Sequence, residues 1–391
     1  MTPKILLLVN FSEEYGRGLL NGIAKYSRLF GPLNFCRIPL INGSKKELKH
    51  TIAWAKSWGV NGIIAQIENE RTFEKLLQLE IPIIAQDTNE RFFGIPNITG
   101  LYKKTGQMAA AYFIEKGFTN FAFYGFDNIV WSRERCEGYC EKVKNFGFNV
   151  HVYQHQKEET PPLWSYKESS LSDWLKGLPK PIAIMTCDDN QGQHVTEACK
   201  AVGINVPEQV SVLGVDNDLS ICNLSDPPLS SISLNTEKAG FETAQLLSKM
   251  IANKDFKFTD IYVEPLQIIT RRSTDFLAVD DKEVSKALHF IYYNFKELIS
   301  VDDVVNATAL SRRVLEKRFQ SVLKRSILDE INTLRIKQVK QLLIETDLSV
   351  TEISDFCGYT DIKNLSRYFR RHEGVSPLEY RKLKQTKLIS S

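Results

Sequence analysis

Near the C-terminus, two runs set basic and amide side chains at the start of an amphipathic segment. Arg312, Arg313, Glu316 and Lys317 lie on one side of a stretch whose other side carries Leu315 and Phe319 at i, i+4 spacing. Lys363, Asn364 and Arg367 do the same opposite Leu365, Tyr368 and Phe369. Guanidinium and ammonium groups pair with guanine O6 and N7, and a side-chain amide with adenine N6 and N7, so these types suit the major groove of double-stranded DNA. Charge on an outer helix face is more often only a solvated surface, and taken singly each run is open to that reading.

A second group sits where strands are expected to end. Asp188 and Asp189 follow an apolar run at 182–186, Asp216 follows another at 210–215, and Arg135 stands near the start of a helical segment. A carboxylate accepts from two hydroxyls at once and a guanidinium donates to several, while the carboxyl ends of strands are where α/β sheets bind ligands. Phe11, Tyr15 and Trp131 could pack on the apolar face of a sugar ring. The plainer alternatives are turn-forming aspartates and core aromatics.

Other chemistry lacks its residues. The turn after the first apolar run reads Asn10-Phe11-Ser12-Glu13-Glu14-Tyr15-Gly16, not a glycine-rich phosphate loop, and no Walker lysine, G-x-S-x-G elbow or H-E-x-x-H pair occurs. An enzyme on an α/β scaffold with a regulatory tail is therefore disfavoured, and no catalytic residue or cofactor is expected. Seven cysteines at irregular spacing suit neither a disulfide framework nor a zinc module and read as buried free thiols, with no metal site.

The positioning elements change character along the chain. Up to about residue 270, short β-rich runs (4–9, 62–65, 81–85, 121–124, 182–186, 210–215) alternate with helix-length segments (18–28, 105–116, 133–145, 191–201). Strands of this kind predict parallel sheets covered on both faces, and two smaller sheets suit a ligand-binding protein better than one large one. From 282 onward only helices are expected. The first unit there is a helix at 301–307, a turn at 308–310, Ser311 as cap and a helix at 312–322. The second runs from a Ser349 cap with Glu352 three residues on, through Cys357 and a turn at Gly358, to a helix at 361–372. Both read as helix-turn-helix units. The charged stretch 270–281 marks the domain boundary. Residues 282–391 hold 20 Lys and Arg against 14 Asp and Glu, whereas 1–281 hold 30 against 33, so the basic end is the one suited to a polyanion. No apolar run approaches the roughly 18 residues that span a bilayer, and the N-terminal run is too short for a signal peptide, so no membrane association and a cytoplasmic location are expected.

Two resemblances sharpen this reading. Leu310-Ser311 with Leu315, Arg318 and Phe319, Arg335 before Leu342-Leu343, Leu348-Ser349-Val350 with Ile353, Gly358-Tyr359, Phe369 and Gly374-Val375-Ser376-Pro377 resemble the DNA-binding domain of the AraC family. That likeness implies a rigid helix at about 327–345 joining the units, so that they enter successive major grooves about 34 Å apart. Asp188-Asp189-Asn190, the run 212–217, Leu229-Ser230-Ser231-Ile232, Gly240-Phe241, Leu246-Leu247 and Arg133, Arg135 and Gly138 resemble the effector domain of the LacI and periplasmic sugar-binding superfamily. It implies a two-lobed domain over 1–272, with lobes 1–117 plus 236–257 and 118–235 plus 258–272. A linker at 273–281 and a DNA-binding domain at 282–391 follow. Residues 121–125 and 271–275 extend the likeness toward regulators of pentose catabolism. The implied effector is D-xylose, or else a related pentose. The implied state is a homodimer that meets RNA polymerase if it activates, with repression left open.

Overall fold

The computed structural model describes residues 2–38, 45–67, 69–155, 170–253, 256–275, 281–346 and 348–389. The chain divides into two compact units, Met1–Leu277 and Ala278–Ser391. Most of the expected linker, residues 276–280, lies outside the described residues.

The first unit is built on two six-stranded sheets. In one, β1 (Lys4–Leu8) lies between β2 (Asn34–Arg37) and β3 (Gly62–Gln66), followed by β4 (Ile83–Gln86), β5 (Asn97–Gly100) and β11 (Ile261–Val263), all parallel. In the other, β6 (Phe121–Phe126) lies between β7 (Val150–His155) and β8 (Ile182–Thr186), followed by β9 (Val210–Asp216), β10 (Ser230–Leu234) and an antiparallel β12 (Pro265–Ile269). Central strands such as Ile63–Ala65 and Phe121–Phe126 are buried on both faces, which is why they are continuous apolar runs. The first sheet has a core on each face, one around Ile5, Leu7, Ile84 and Leu247, the other around Leu6, Ile63, Phe73 and Phe92.

The chain passes between the lobes three times, and two crossings differ from the expected 117/118 and 257/258. Helix α4 (Tyr102–Glu115) packs on α5 (Val130–Asn145) of the second lobe, so the first crossing comes at Leu101. A glycine permits this approach, since a Cβ on Gly106 would stand 2.1 Å from the Arg135 carbonyl oxygen. The second crossing falls between Leu234 and α9 (Thr236–Ala252), as expected. The third falls at Glu264, because Ile261–Val263 pairs with β5 and stays in the first lobe.

The second unit contains α10 (Lys282–Asn294), α11 (Val301–Asn306), α12 (Arg312–Leu323), α13 (Ile327–Glu345), α14 (Val350–Phe356), α15 (Ile362–Glu373) and α16 (Pro377–Ile389). Ser300 with Asp303, Ser326 with Asp329 and Ser349 with Glu352 form reciprocal capping boxes that fix where α11, α13 and α14 begin. Ser311 occupies the N-cap position of α12, but its side chain makes no capping bond, contrary to expectation. The apolar faces fill two cores, one including Leu288, Leu315, Phe319 and Ile331, the other Val339, Ile353, Leu365 and Phe369, with α13 contributing to both. Arg335, in the middle of α13, donates from Nε to the Phe295 carbonyl (2.8 Å) and from Nη2 to the Glu297 carbonyl (2.6 Å), and its guanidinium lies 5.5 Å from the Tyr359 ring centroid. It thereby ties the segment between α10 and α11, just ahead of the first helix-turn-helix, to the turn of the second.

Gly358 sits at that junction with φ +70°, and a Cβ there would come within 2.5 Å of the Glu297 carbonyl oxygen. Gly358→Ala is expected to destabilise this unit by about 1–3 kcal/mol. Urea unfolding followed by circular dichroism is the check, and an unchanged midpoint would show that the junction does not constrain the fold.

Candidate ligand pocket and nucleic-acid interface

Where the two sheets present their strand ends, a cleft of about 730 Å³, including solvent at its mouth, opens between the lobes. The first lobe supplies Asn10, Glu13, Tyr15, Gln66, Gln86, Asp87 and Thr88, and the second supplies Tyr102, Trp131, Arg135, Asp188, Asp189 and Asp216. Six of the seven expected ligand residues thus meet in one place. Phe11 does not line it. It packs against the apolar core of the first lobe, with the Arg37 guanidinium 5.1 Å from its ring.

Arg135 is the buried cation of the cleft, 2 % exposed. Its Nη1 donates to the Cys187 carbonyl, its Nη2 lies 3.5 Å from Asp216 Oδ1, and the rings of Trp131 and Tyr102 flank it at 5.2 and 5.5 Å. A guanidinium fixed by a carbonyl and two π faces keeps donors for a ligand. Arg135 Nε and Asp216 Oδ1 have no hydrogen-bond partner within the protein, nor do Gln86 Oε1 and Thr88 Oγ1 on the facing lobe. Buried polar atoms are seldom left unmatched, so this convergence marks where ligand hydroxyls would be received.

The carboxyls divide by role. Asp189 is fully engaged, accepting from Ser231 Oγ at 2.6 Å and from the Asp218 amide at 2.7 Å, which makes it a tie between loops more than a ligand group. Asp188 caps α7 (Asp189–Ala201) through the Gln191 amide at 2.7 Å and reaches the cleft wall. Burial pushes its carboxyl up to about 7, with Asp216 and Glu13 adding and the Gln191 amide and Arg135 opposing. Burial likewise pushes Asp216 up to about 6, against the pull of Arg135. Asp87 also rises to about 6 by burial, although Thr99 Oγ1 and the Tyr102 hydroxyl each donate to it at 2.6 Å. Two ion pairs bridge the lobes beside the cleft, Arg17 to Asp218 at 2.6 Å and Arg91 to Glu134 at 2.6 Å.

On the second unit, Arg312, Arg313, Glu316, Lys317, Lys363 and Arg367 are exposed and Asn364 is half-buried. Arg312 pairs with Asp302 and Glu316, both at 3.0 Å. The Asn364 amide donates to Thr360 Oγ1 at 2.6 Å and to Asp361 Oδ2 at 3.1 Å, and accepts from Arg367 Nη2 at 3.0 Å. To read a base these groups would exchange internal partners for external ones. Arg370, Arg371 and His372, not singled out from sequence, make the last turn of α15 basic and suited to phosphates.

Residues 110–274 match the periplasmic binding protein-like domain and residues 304–383 a helix-turn-helix domain. The chain thus joins a periplasmic binding protein-like domain to a helix-turn-helix domain, as a DNA-binding transcription regulator does, and its full-length relatives are regulators and not enzymes. It is 29% identical to the xylose operon regulatory protein of Escherichia coli (strain K12), covering 97% of this chain and 96% of that one. Its identity to the protein of the same name in Haemophilus influenzae (strain ATCC 51907 / DSM 11121 / KW20 / Rd) is also 29%, over 97% and 98% of the two chains. The solved structure of a xylose-binding transcription activator superposes with a TM-score of 0.78 at 26% identity, covering 98% of both chains. Among the described residues no helix is long and apolar enough to cross a membrane, and no cluster of three or more His, Cys, Asp or Glu could hold a metal ion.

The raised carboxyls carry a stability cost. Asp188 takes up its proton at about 7 when folded against an ordinary 3.8, so the folded chain binds more protons and loses stability as pH rises from about 4 to 7. The ligand-free protein should therefore unfold at a lower temperature at pH 8 than at pH 5. Asp188→Asn, which keeps an N-cap acceptor, should narrow that difference in a calorimetric series. An equal pH dependence in both proteins would remove Asp188 as a cause.

Proposed function

We propose that this chain is a sugar-responsive regulator of sugar-catabolic genes, with D-xylose as effector, acting in the cytoplasm as a homodimer and engaging RNA polymerase as an activator. The observation that carries the reading is the meeting of Asp188, Asp216, Arg135 and Trp131 with unmatched polar atoms of the opposite lobe, on a chain that also carries two helix-turn-helix units. The choice of D-xylose rests on the names of relatives aligned over nearly the whole chain.

Asp188 and Asp216 would accept from vicinal hydroxyls, Arg135 would donate to a ring or hydroxyl oxygen, and the indole of Trp131 and the ring of Tyr15 would cover the C–H face. Gln86 and Thr88 would contact the same sugar from the first lobe. A ligand touching both lobes binds the closed arrangement more tightly than the open one, and this difference is all it has with which to shift the DNA-binding units. The exposed side chains of α12 and α15 would read the operator, Arg312, Arg313, Glu316 and Lys317 from the first helix, Lys363, Asn364 and Arg367 from the second.

Titration with D-xylose, L-arabinose, D-ribose and D-glucose, followed by tryptophan fluorescence, is expected to give a saturable change with D-xylose that Trp131→Phe abolishes. Asp216→Ala should weaken that sugar by at least tenfold, and an unchanged midpoint would exclude the aspartate from the pocket. A response to another pentose alone would replace the effector and leave the class intact. On DNA, Arg367→Ala should cost on the order of 1–3 kcal/mol on the specific operator and little on random duplex if it reads a base. Equal weakening on both in a gel-shift series would make it a phosphate contact.

A further inference from the structure

Asp216 and Asn217 end β9 with φ of +103° and +56°, a left-handed turn at the floor of the cleft. Non-glycine residues hold such a conformation only when their surroundings fix it. Here the fixing groups are identifiable. The Asn217 amide donates to Ser231 Oγ at 2.9 Å, and Ser231 in turn donates to Asp189 Oδ1 at 2.6 Å. The Asn217 side chain accepts, through Oδ1, a hydrogen bond of 2.8 Å from Arg271 Nη2.

Arg271 belongs to the segment by which the chain leaves the first unit. Its Nη1 donates to the Leu229 carbonyl at 2.9 Å, and its backbone amide and carbonyl both bond Ser230 Oγ, at 2.8 and 2.9 Å. The next residues are tied to the same strand, with Ser273 Oγ accepting from the Ser230 amide at 2.8 Å and donating to the Val212 carbonyl at 2.6 Å. Thr274 Oγ1 reaches Ser230 Oγ at 2.7 Å and the Tyr112 hydroxyl of α4 at 2.8 Å. One continuous set of hydrogen bonds thus runs from the residue beside Asp216 to Thr274, close to where the second unit begins. Apart from Asp189, the groups in it (Asn217, Ser230, Ser231, Arg271, Ser273 and Thr274) do not line the cleft, so their arrangement is not explained by sugar binding itself.

We propose that the Asn217–Arg271 hydrogen bond is a coupling element: it ties the turn that carries Asp216 to the exit segment at residues 271–275, so that ligand held at Asp216 changes the restraint on that segment and through it the setting of the DNA-binding unit. This rests on the reading of the cleft as the effector pocket. The physical requirement is a linked element whose arrangement both ends bias, and the turn and exit segment share Ser230, Ser231 and Arg271 as common partners.

Asn217→Gly tests the idea with little risk to folding, because glycine accepts the left-handed φ at no steric cost while losing the bond to Arg271. Arg271→Ala serves as the independent second variant. Without any sugar, hydrogen exchange at the Arg271, Ser273 and Asp275 amides is expected to be faster in both variants than in the wild-type chain, with exchange in β8 and β9 unchanged. Equal exchange in this segment would overturn the proposed tie whether or not the pocket takes sugar. With D-xylose present, both variants should still bind the sugar saturably by fluorescence, because neither Asn217 nor Arg271 lines the cleft. They should lose most of the sugar-dependent change in operator affinity, a factor that for coupled sites is on the order of 5- to 150-fold. A full sugar response on DNA would overturn the coupling, as would a parallel loss of sugar binding and DNA response. Failure of the wild-type chain to bind any sugar would instead sink the effector reading, and the exchange experiment would still decide the tie.

Discussion

The cleft depends on one buried positive charge. Arg135 comes from a helix rather than a loop, and its place is set by the close packing of α4 against α5, which the absence of a side chain at Gly106 allows. Around it stand carboxyls that burial drives toward protonation, and the guanidinium is the main force keeping Asp216 from rising further. A buried cation whose ion partner, Asp216, stands off at 3.5 Å is costly, and here the Cys187 carbonyl and the Trp131 and Tyr102 rings meet part of that cost. A polar ligand entering such a site replaces water with groups already oriented, so its binding is favoured by what the fold has left unmatched.

Much of this was legible in the sequence, and the failures have physical causes. Strands buried on both faces, such as Ile182–Thr186, announce themselves as apolar runs. Asn34–Arg37 and Val150–His155 lie at sheet edges with exposed or half-buried residues, and Ile261–Val263 is three residues long, so none carries a periodic signal. The two lobe crossings were misplaced for a different reason. Lobe membership is set by which neighbour a helix or short strand packs on, and the residues of α4 and β11 do not themselves say that one packs on α5 and the other pairs with β5.

Within the pocket, the second lobe was readable because its aspartates follow long apolar strands. The first lobe's Gln86, Asp87 and Thr88 obey the same strand-end rule after Ile83–Gln86, and applying it there would have found them. Phe11 shows the limit of that rule, since an aromatic beside a strand end can turn to the ligand or to the core, and here the core takes it. Asp189 shows another. Adjacent aspartates look alike in sequence and both line the cleft, yet the carboxylate of Asp189 is consumed by Ser231 and the Asp218 amide.

The helix α13 belongs to both cores of the second unit, and Arg335 at its middle clamps the two halves together. Such a shared helix acts as a ruler. Two reading heads fixed to it can engage DNA together only if their target boxes lie in matching helical phase, so inserting about five base pairs between the boxes would turn one of them to the opposite side of the duplex. A chain that reads DNA in this way would select its sites by the interval between boxes as well as by their letters, and that second criterion would be encoded by a buried arginine and the length of a helix that need not touch a base.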